Sequence, residues 1–379
     1  MCENGKKQSE LGLYLHIPFC VKKCAYCDFL SAPADKAVQL RYVEALKGEI
    51  YQQKTLGLNR RVTSIFIGGG TPSILEGVQM AQLLEAVHDS FPVETDAEIT
   101  VECNPGTLTA DKLSRYRRQG VNRLSIGLQS ADNEELRLLG RIHTYEEFLQ
   151  SYTLAREMGF ENINVDLMSA LPGQTKESWR HTLREVLSLK PEHISAYSLI
   201  IEEGTPFYHR FGPGAGEERL LPDEDTERQM YYDTRDILKA EGYERYEISN
   251  YARQGFACRH NLGYWERREY LGLGLGASSL TEGVRYRNHR KLSAYLSGDY
   301  GHEDIQRLTR QEELEETMFL GLRKTEGVLL TEELLKVYKG VFERLEQQEL
   351  LIRENGRVRL TELGIDVSNY ALAEFLQSS

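Results

Sequence analysis

The sequence predicts an α/β fold: an open (β/α)6 partial barrel followed by a smaller α+β domain of winged-helix-like order. Three observations predict it. Six short apolar-alternating segments recur through the first two-thirds of the chain, helix-period stretches separate them, and the pattern turns to consecutive helices from residue 308. Short strands alternating with helices imply a parallel sheet with right-handed crossovers, and six units fall short of the eight that close a barrel.

The expected strands cover 13–17, 62–67, 98–103, 123–129, 162–168 and 193–199, with helices at 37–58, 74–91, 109–119, 145–158 and 176–189. Successive side chains of a strand face opposite ways. Leu13, Leu15 and Ile17 therefore oppose Tyr14 and His16, and Ile99, Val101 and Cys103 oppose Thr100 and Glu102. Leu124, Ile126 and Leu128 oppose Arg123, Ser125 and Gln129, while Ile163, Val165 and Leu167 oppose Asn162, Asn164 and Asp166. One face suits packing under helices. The other carries polar groups that a filled barrel interior would not tolerate unpaired, so the lumen is expected to hold a ligand.

Past residue 222 the pattern loosens into a helix over 223–241 and a Gly- and aromatic-rich stretch over 243–283. Helices follow at 311–322, 331–336 and 341–348, then a hairpin over 351–360 with Asn355-Gly356 as its turn. The expected organisation is a tail (1–10), the barrel (11–245), a barrel extension (246–306) and the winged-helix-like domain (307–379). Winged helices often bind DNA, but this one carries 14 acidic against 10 basic residues, which argues for a packing or partner-docking role.

The whole chain has 379 residues and a formal net charge of −12, the wrong balance for a nucleic-acid partner. No apolar run approaches the ~18 residues of a membrane span. The first ten residues hold no apolar signal core, so a soluble, cytoplasmic protein is expected. Of six cysteines, Cys20, Cys24 and Cys27 fall in one loop after the first strand. Clustered thiols in a reducing compartment read as metal or cluster ligands. Three thiolates suit a [4Fe–4S] cluster with one iron left without a protein ligand. A zinc loop completed by a distant histidine or by Cys258 would use the same thiols.

The surroundings of that loop decide between the two. The chain resembles the radical S-adenosylmethionine superfamily, whose CxxxCxxC loop holds a [4Fe–4S] cluster with an open iron for S-adenosylmethionine. Gly68-Gly69-Gly70-Thr71-Pro72 stands after the second strand, where that superfamily places its glycine motif. Exposed backbone groups there are expected to meet the ligand without side-chain obstruction. The resemblance narrows to the oxygen-independent coproporphyrinogen oxidase-like group through Tyr14-x-His16-Ile17-Pro18-Phe19-Cys20, Glu102-Cys103-Asn104-Pro105-Gly106, Ser125-Ile126-Gly127-Leu128-Gln129-Ser130, Gly140-Arg141-x-His143, and Asp166-Leu167-Met168. It implies that Tyr14, Tyr26, Gly69, Gly70, Thr71, Glu102, Gln129, Arg141 and Asp166 contact S-adenosylmethionine. Alternation alone had already placed Tyr14, Glu102, Gln129 and Asp166 on the polar face.

Within that group the oxidases carry a fourth cysteine two positions after the triplet and a long N-terminal arm. Phe29 stands at that position here, and thirteen residues precede Tyr14. Both departures resemble HemW-like haem chaperones rather than oxidases that decarboxylate porphyrinogen propionates. His260-Asn261-Leu262-Gly263-Tyr264-Trp265 resembles the HNxxYW motif that accompanies haem binding in those chaperones. The resemblance implies His260 as axial ligand, with Tyr264 and Trp265 beside the porphyrin; Cys258, two residues earlier, is a competing thiolate, with a buried inert thiol the favoured reading. It also implies haem and haem-accepting respiratory proteins as partners, met at the membrane periphery by a monomer or a dimer.

Overall fold

The computed structural model describes residues 9–57 and 60–376. Cys2, most of the expected tail and residue 58 of the first expected helix lie outside them. All six expected strands form: β1 (Ser9–Ile17), β2 (Arg60–Gly69), β3 (Val93–Cys103), β4 (Arg123–Gln129), β5 (Ile163–Ser169) and β6 (His193–Ser198). They lie side by side in sequence order, and every neighbouring pair is parallel. The register aligns Leu13 with Ile65, Ile65 with Ile99, and Val101 with Leu124, so the apolar side chains form rows under the helices. Leu13, Ile65, Val101, Leu124 and Val165 are all buried in one core.

The helices Lys36–Gln52, Gly77–Ser90, Ala110–Arg118, Tyr145–Glu157 and Lys176–Ser188 cover that face. Four of them start at a side-chain cap, from Asp35, Thr109, Thr144 and Thr175, which satisfies an amide that the first turn leaves open. The first helix stops earlier than its pattern suggested, at Gln52, with a separate turn at Lys54–Gly57.

The sheet does not close. Beyond β6 it adds β7 (Glu244–Arg245) and β8 (Asn250–Ala252), and beyond β1 it adds β9 (Tyr270–Leu273), β10 (Ser278–Thr281), β11 (Val284–Asn288) and β12 (His302–Arg307). The open twelve-stranded sheet runs β12-β11-β10-β9-β1-β2-β3-β4-β5-β6-β8-β7. The Gly- and aromatic-rich stretch over 243–283 thus contains strands that its sequence pattern did not show, and glycine explains why. A Cβ on Gly272 would lie 2.2 Å from the Ser278 carbonyl oxygen, and Gly274 has φ +104°, so the tight hairpin forbids the side chains that make a strand pattern visible. The buried Glu49 ties this extension to the barrel by accepting from Gly274 N–H (2.7 Å), Asn288 Nδ2 (2.6 Å) and Tyr295 OH (2.5 Å).

The last domain holds helices at Arg310–Gly321, Glu332–Val337 and Lys339–Gln347 with an antiparallel sheet. That sheet consists of β13 (Val328–Leu329), β14 (Leu351–Glu354) and β15 (Arg357–Leu360), in the order β13-β15-β14. Asn355 and Gly356 both have positive φ (52° and 73°), as a primed hairpin turn requires. Its own core gathers Met318, Phe342, Leu345, Val358 and Phe375. Ion pairs join it to the barrel side: Lys324–Glu266 at 3.0 Å, Arg267–Glu316 at 2.9 Å and Arg245–Glu362 at 2.8 Å. Among the described residues no helix is long and apolar enough to cross a membrane.

Candidate cluster and cofactor site

The cysteine loop leaves β1 at the C-terminal end of the sheet, where barrel chemistry resides. Its base is pinned by backbone bonds between Cys20 N–H and Ala32 O (3.2 Å) and between Ala32 N–H and Pro18 O (3.0 Å). Cys20, Cys24 and Cys27 are half-buried free thiols. The Thr71 hydroxyl approaches Cys20 Sγ at 3.7 Å, and Arg141 Nη1 approaches Cys24 Sγ at 3.6 Å. Burial pushes the Cys27 thiol above its ordinary value. Among the described residues no group of three or more His, Cys, Asp or Glu side chains closes on a single metal ion. Thiols with a cationic donor and a hydroxyl donor at their sulfurs suit the anionic sulfurs of a cluster.

Arg141 organises the mouth of the lumen. Its Nη2 donates to Asn104 Oδ1 (2.8 Å) and Gly127 O (2.7 Å), and Asn104 Nδ2 donates to Thr71 Oγ1 (2.9 Å). This chain links the donors of Cys20 and Cys24 through Asn104, a residue the sequence motif contained but whose role the sequence reading did not assign. Tyr26 lies against Arg141, and burial raises its phenol. The Arg141 Nε is buried with no partner, which leaves a cationic donor for a ligand carboxylate.

In the glycine turn the backbone amides are taken up within the protein. The amides of Gly69, Gly70 and Thr71 donate inside the protein, to Glu102 Oε2 (3.0 Å), Ile17 O (2.8 Å) and Phe19 O (2.7 Å). They are therefore not free to meet a ligand. The glycines are needed for close packing: a Cβ on Gly69 (φ +115°) would lie 2.5 Å from His16 Nδ1, and one on Gly70 2.5 Å from Phe19 O.

Below the turn, Glu102 and Asp166 face one another across the lumen. Burial, then the Asp166 charge, pushes the Glu102 carboxyl up to about 8. Asp166 is also raised by burial, although it accepts from Asn164 Nδ2 (2.8 Å) and Ser125 Oγ (3.1 Å). Gln129 ends β4 with φ 78°, at a register shift between Gly127 and Gln129. That bulge re-aims its side chain, a strain typical of binding sites. The Tyr14 hydroxyl meets His16 Nδ1 at 3.0 Å, and its ring lies along Phe66 (centroids 6.4 Å). Tyr14, Glu102, Gln129, Arg141 and Asp166 thus stand around one polar lumen. Two carboxyl groups, an amide and an orphaned guanidinium fit the hydroxyl, amine and carboxylate groups of S-adenosylmethionine.

The HNxxYW segment closes the floor. Helix Arg259–Trp265 is held at its N-terminus by Glu98, which accepts from Arg259 N–H (3.0 Å), His260 N–H (3.0 Å) and Cys258 Sγ (3.3 Å). His260 is only 3% exposed. Its Nδ1 bonds to Ser64 Oγ (2.9 Å), its Nε2 to Tyr264 OH (3.0 Å), and its ring stacks on Phe66 (5.2 Å). Burial, reinforced by Arg123, lowers it to about 3, so it is a neutral imidazole. Both ring nitrogens of the expected axial ligand are thus taken up in hydrogen bonds within the protein. Cys258 is buried, and burial pushes its thiol up to about 12, which favours the neutral form. Trp265 lies under the Arg323 guanidinium (4.6 Å), packed against the last domain. Ser64, Phe66 and Glu98 were missed in the sequence because their roles depend on a helix from a distant segment entering the lumen.

An open parallel barrel with a three-thiol loop at the first strand defines a radical S-adenosylmethionine protein. Residues 14–186 match the Radical SAM superfamily, and residues 308–367 match the HemN C-terminal domain. The chain is 38% identical over 375 residues to the heme chaperone HemW of Lactococcus lactis, covering 96% of each. It is 37% identical to that of Bacillus subtilis, covering 96% of this chain and 98% of the relative. The coproporphyrinogen III oxidase (HemN) structure from Escherichia coli superposes with a TM-score of 0.81 over 98% of this chain and 91% of that one. At 23% identity that likeness shows a shared fold. The chain belongs to the HemW family of radical SAM proteins.

Proposed function

We propose that this protein is a haem chaperone that takes up haem and hands it to acceptor haem proteins, including respiratory ones. It does so on a radical SAM scaffold with a [4Fe–4S] cluster at Cys20, Cys24 and Cys27 and S-adenosylmethionine in the lumen. The observation that carries this reading is the end-to-end similarity to relatives named heme chaperone HemW. The presence of Phe29 where the oxidases carry a fourth cysteine supports it. The bound cofactor would supply amine and carboxylate ligands to the iron that no cysteine holds. Around it Arg141 would pair with the carboxylate, Glu102 and Asp166 would hold polar hydrogens, and Tyr14 and Tyr26 would wall the cavity. The test is anaerobic reconstitution followed by haemin titration and transfer to an apo-haem protein. Stoichiometric uptake and transfer are expected. Decarboxylation of coproporphyrinogen without haem uptake would replace this reading with the oxidase one.

A further inference from the structure

We infer that His193 and Tyr246 are positioning residues that join the S-adenosylmethionine pocket to the HNxxYW helix, so that cofactor and haem bind as linked events. The inference rests on the chaperone reading and adds how its two ligands govern one another. Behind Asp166, the side chains of Asn164, His193 and Ser195 are buried on the polar face of β5 and β6. Buried polar groups must find partners, and these three find one another.

Their hydrogen bonds run in one direction. Asn164 Nδ2 donates to Asp166 Oδ1 (2.8 Å) and to Ser125 Oγ (2.7 Å), and Ser125 Oγ donates to Asp166 Oδ2 (3.1 Å). Asn164 Oδ1 is then the acceptor, so His193 Nδ1 carries the proton and donates to it (2.6 Å), as does Ser195 Oγ (3.1 Å). Burial, reinforced by Arg123, holds His193 well below its ordinary value, so the imidazole is neutral and Nε2 accepts. Its donor is the Tyr246 hydroxyl (2.8 Å), whose oxygen accepts in turn from the Cys258 amide (3.3 Å). Cys258 is the N-cap of the helix Arg259–Trp265 that carries His260. Every donor thus points from the HNxxYW helix toward Asp166, through three side chains.

Both ends of this relay meet a ligand site. Asn164 and Ser125 orient the two carboxylate oxygens of Asp166, so cofactor hydroxyls donating there fix those side chains, and His193 and Tyr246 behind them. At the far end Tyr246 holds the Cys258 amide, while Glu98 holds the next two. The Tyr246 backbone is itself tied to the last domain, its carbonyl accepting from Thr325 N–H (3.0 Å). Fixing its hydroxyl therefore steadies the first turn of the helix that carries the haem motif. Linkage of this kind is reciprocal: what the cofactor does to haem binding, haem does to cofactor binding.

The experiment measures amide exchange over residues 258–265 and haemin affinity in the reconstituted full chain, each with and without saturating S-adenosylmethionine. Wild type is compared with Tyr246→Phe, His193→Ala and His193→Gln, and iron content and melting temperature check each fold. In wild type the cofactor alone is expected to slow that exchange by about fivefold or more, and to change haemin affinity by a similar factor. Tyr246→Phe removes one hydroxyl; cofactor affinity should stay within about threefold while both effects shrink below about twofold. His193→Ala should lose them too, and His193→Gln, whose amide can both donate to Asn164 and accept from Tyr246, should recover part of them. A purely structural role would lower the melting temperature of these variants and leave the cofactor's effects in place. Indifference of the wild-type chain to the cofactor, or effects of wild-type size in Tyr246→Phe, would overturn the coupling while leaving the chaperone reading intact. Slowed exchange in a wild-type chain that takes up no haemin would overturn the chaperone reading instead.

Discussion

Glu102 carries the clearest electrostatic signature in the lumen. Its carboxyl is raised from 4.5 to about 8, so between those values the folded chain keeps a proton that the unfolded chain releases. Stability must then fall as pH rises through that window. Glu102→Gln should flatten the decline of melting temperature between about pH 5 and pH 8, a difference thermal denaturation at several pH values would detect. Asp166 and Arg141 are the other polar groups aimed at the ligand site. Asp166→Ala and Arg141→Ala should each weaken S-adenosylmethionine binding by about 1.5–3 kcal/mol, roughly ten- to a hundredfold, by calorimetric titration. Unchanged affinity in both would refute the assignment. Strand alternation made these residues legible, because a period of two sorts Glu102 and Asp166 from Val101 and Val165 without any structure. Asn104 was harder to read, since its work is to join Arg141 to Thr71 across three loops.

At the scale of elements, the glycine turn and the floor helix impose different costs. Gly69→Ala would force a Cβ into His16 at a backbone angle that L side chains avoid. It should cost about 1–3 kcal/mol and reduce iron retention, measurable by denaturation and iron analysis after reconstitution. Glu98→Ala would strip two amides and a thiol of one shared acceptor, costing about 1–3 kcal/mol. Amide exchange in 258–265 should rise with it, while the cluster loop stays unaffected. Helix and strand positions were readable where periodicity ran uninterrupted, as in Lys176–Ser188 and the Asn355-Gly356 hairpin. They were not readable in β9 and β10, where Gly272 and Gly274 replace patterned side chains to let two backbones approach. The HNxxYW segment shows the same limit. Its residue types announce a site, but their burial beneath Phe66 comes from the tertiary fold.

At the scale of the molecule, the two ends of the lumen are built for different tasks. The C-terminal end of the sheet holds three free thiols and an orphaned guanidinium, whereas the other end is closed by a helix that Glu98 and the last domain hold in place. With three thiolates as the expected protein ligands of a cluster of about four irons per chain, replacing Cys20, Cys24 or Cys27 with alanine should abolish it while the fold persists on its separate core. The central claim is best tested on one anaerobically reconstituted sample, by measuring haemin uptake, haem transfer to an apo-acceptor and coproporphyrinogen turnover together. The account predicts haem bound in stoichiometric amount and passed on, with no decarboxylated porphyrin. Porphyrinogen turnover in the absence of haem uptake would contradict it.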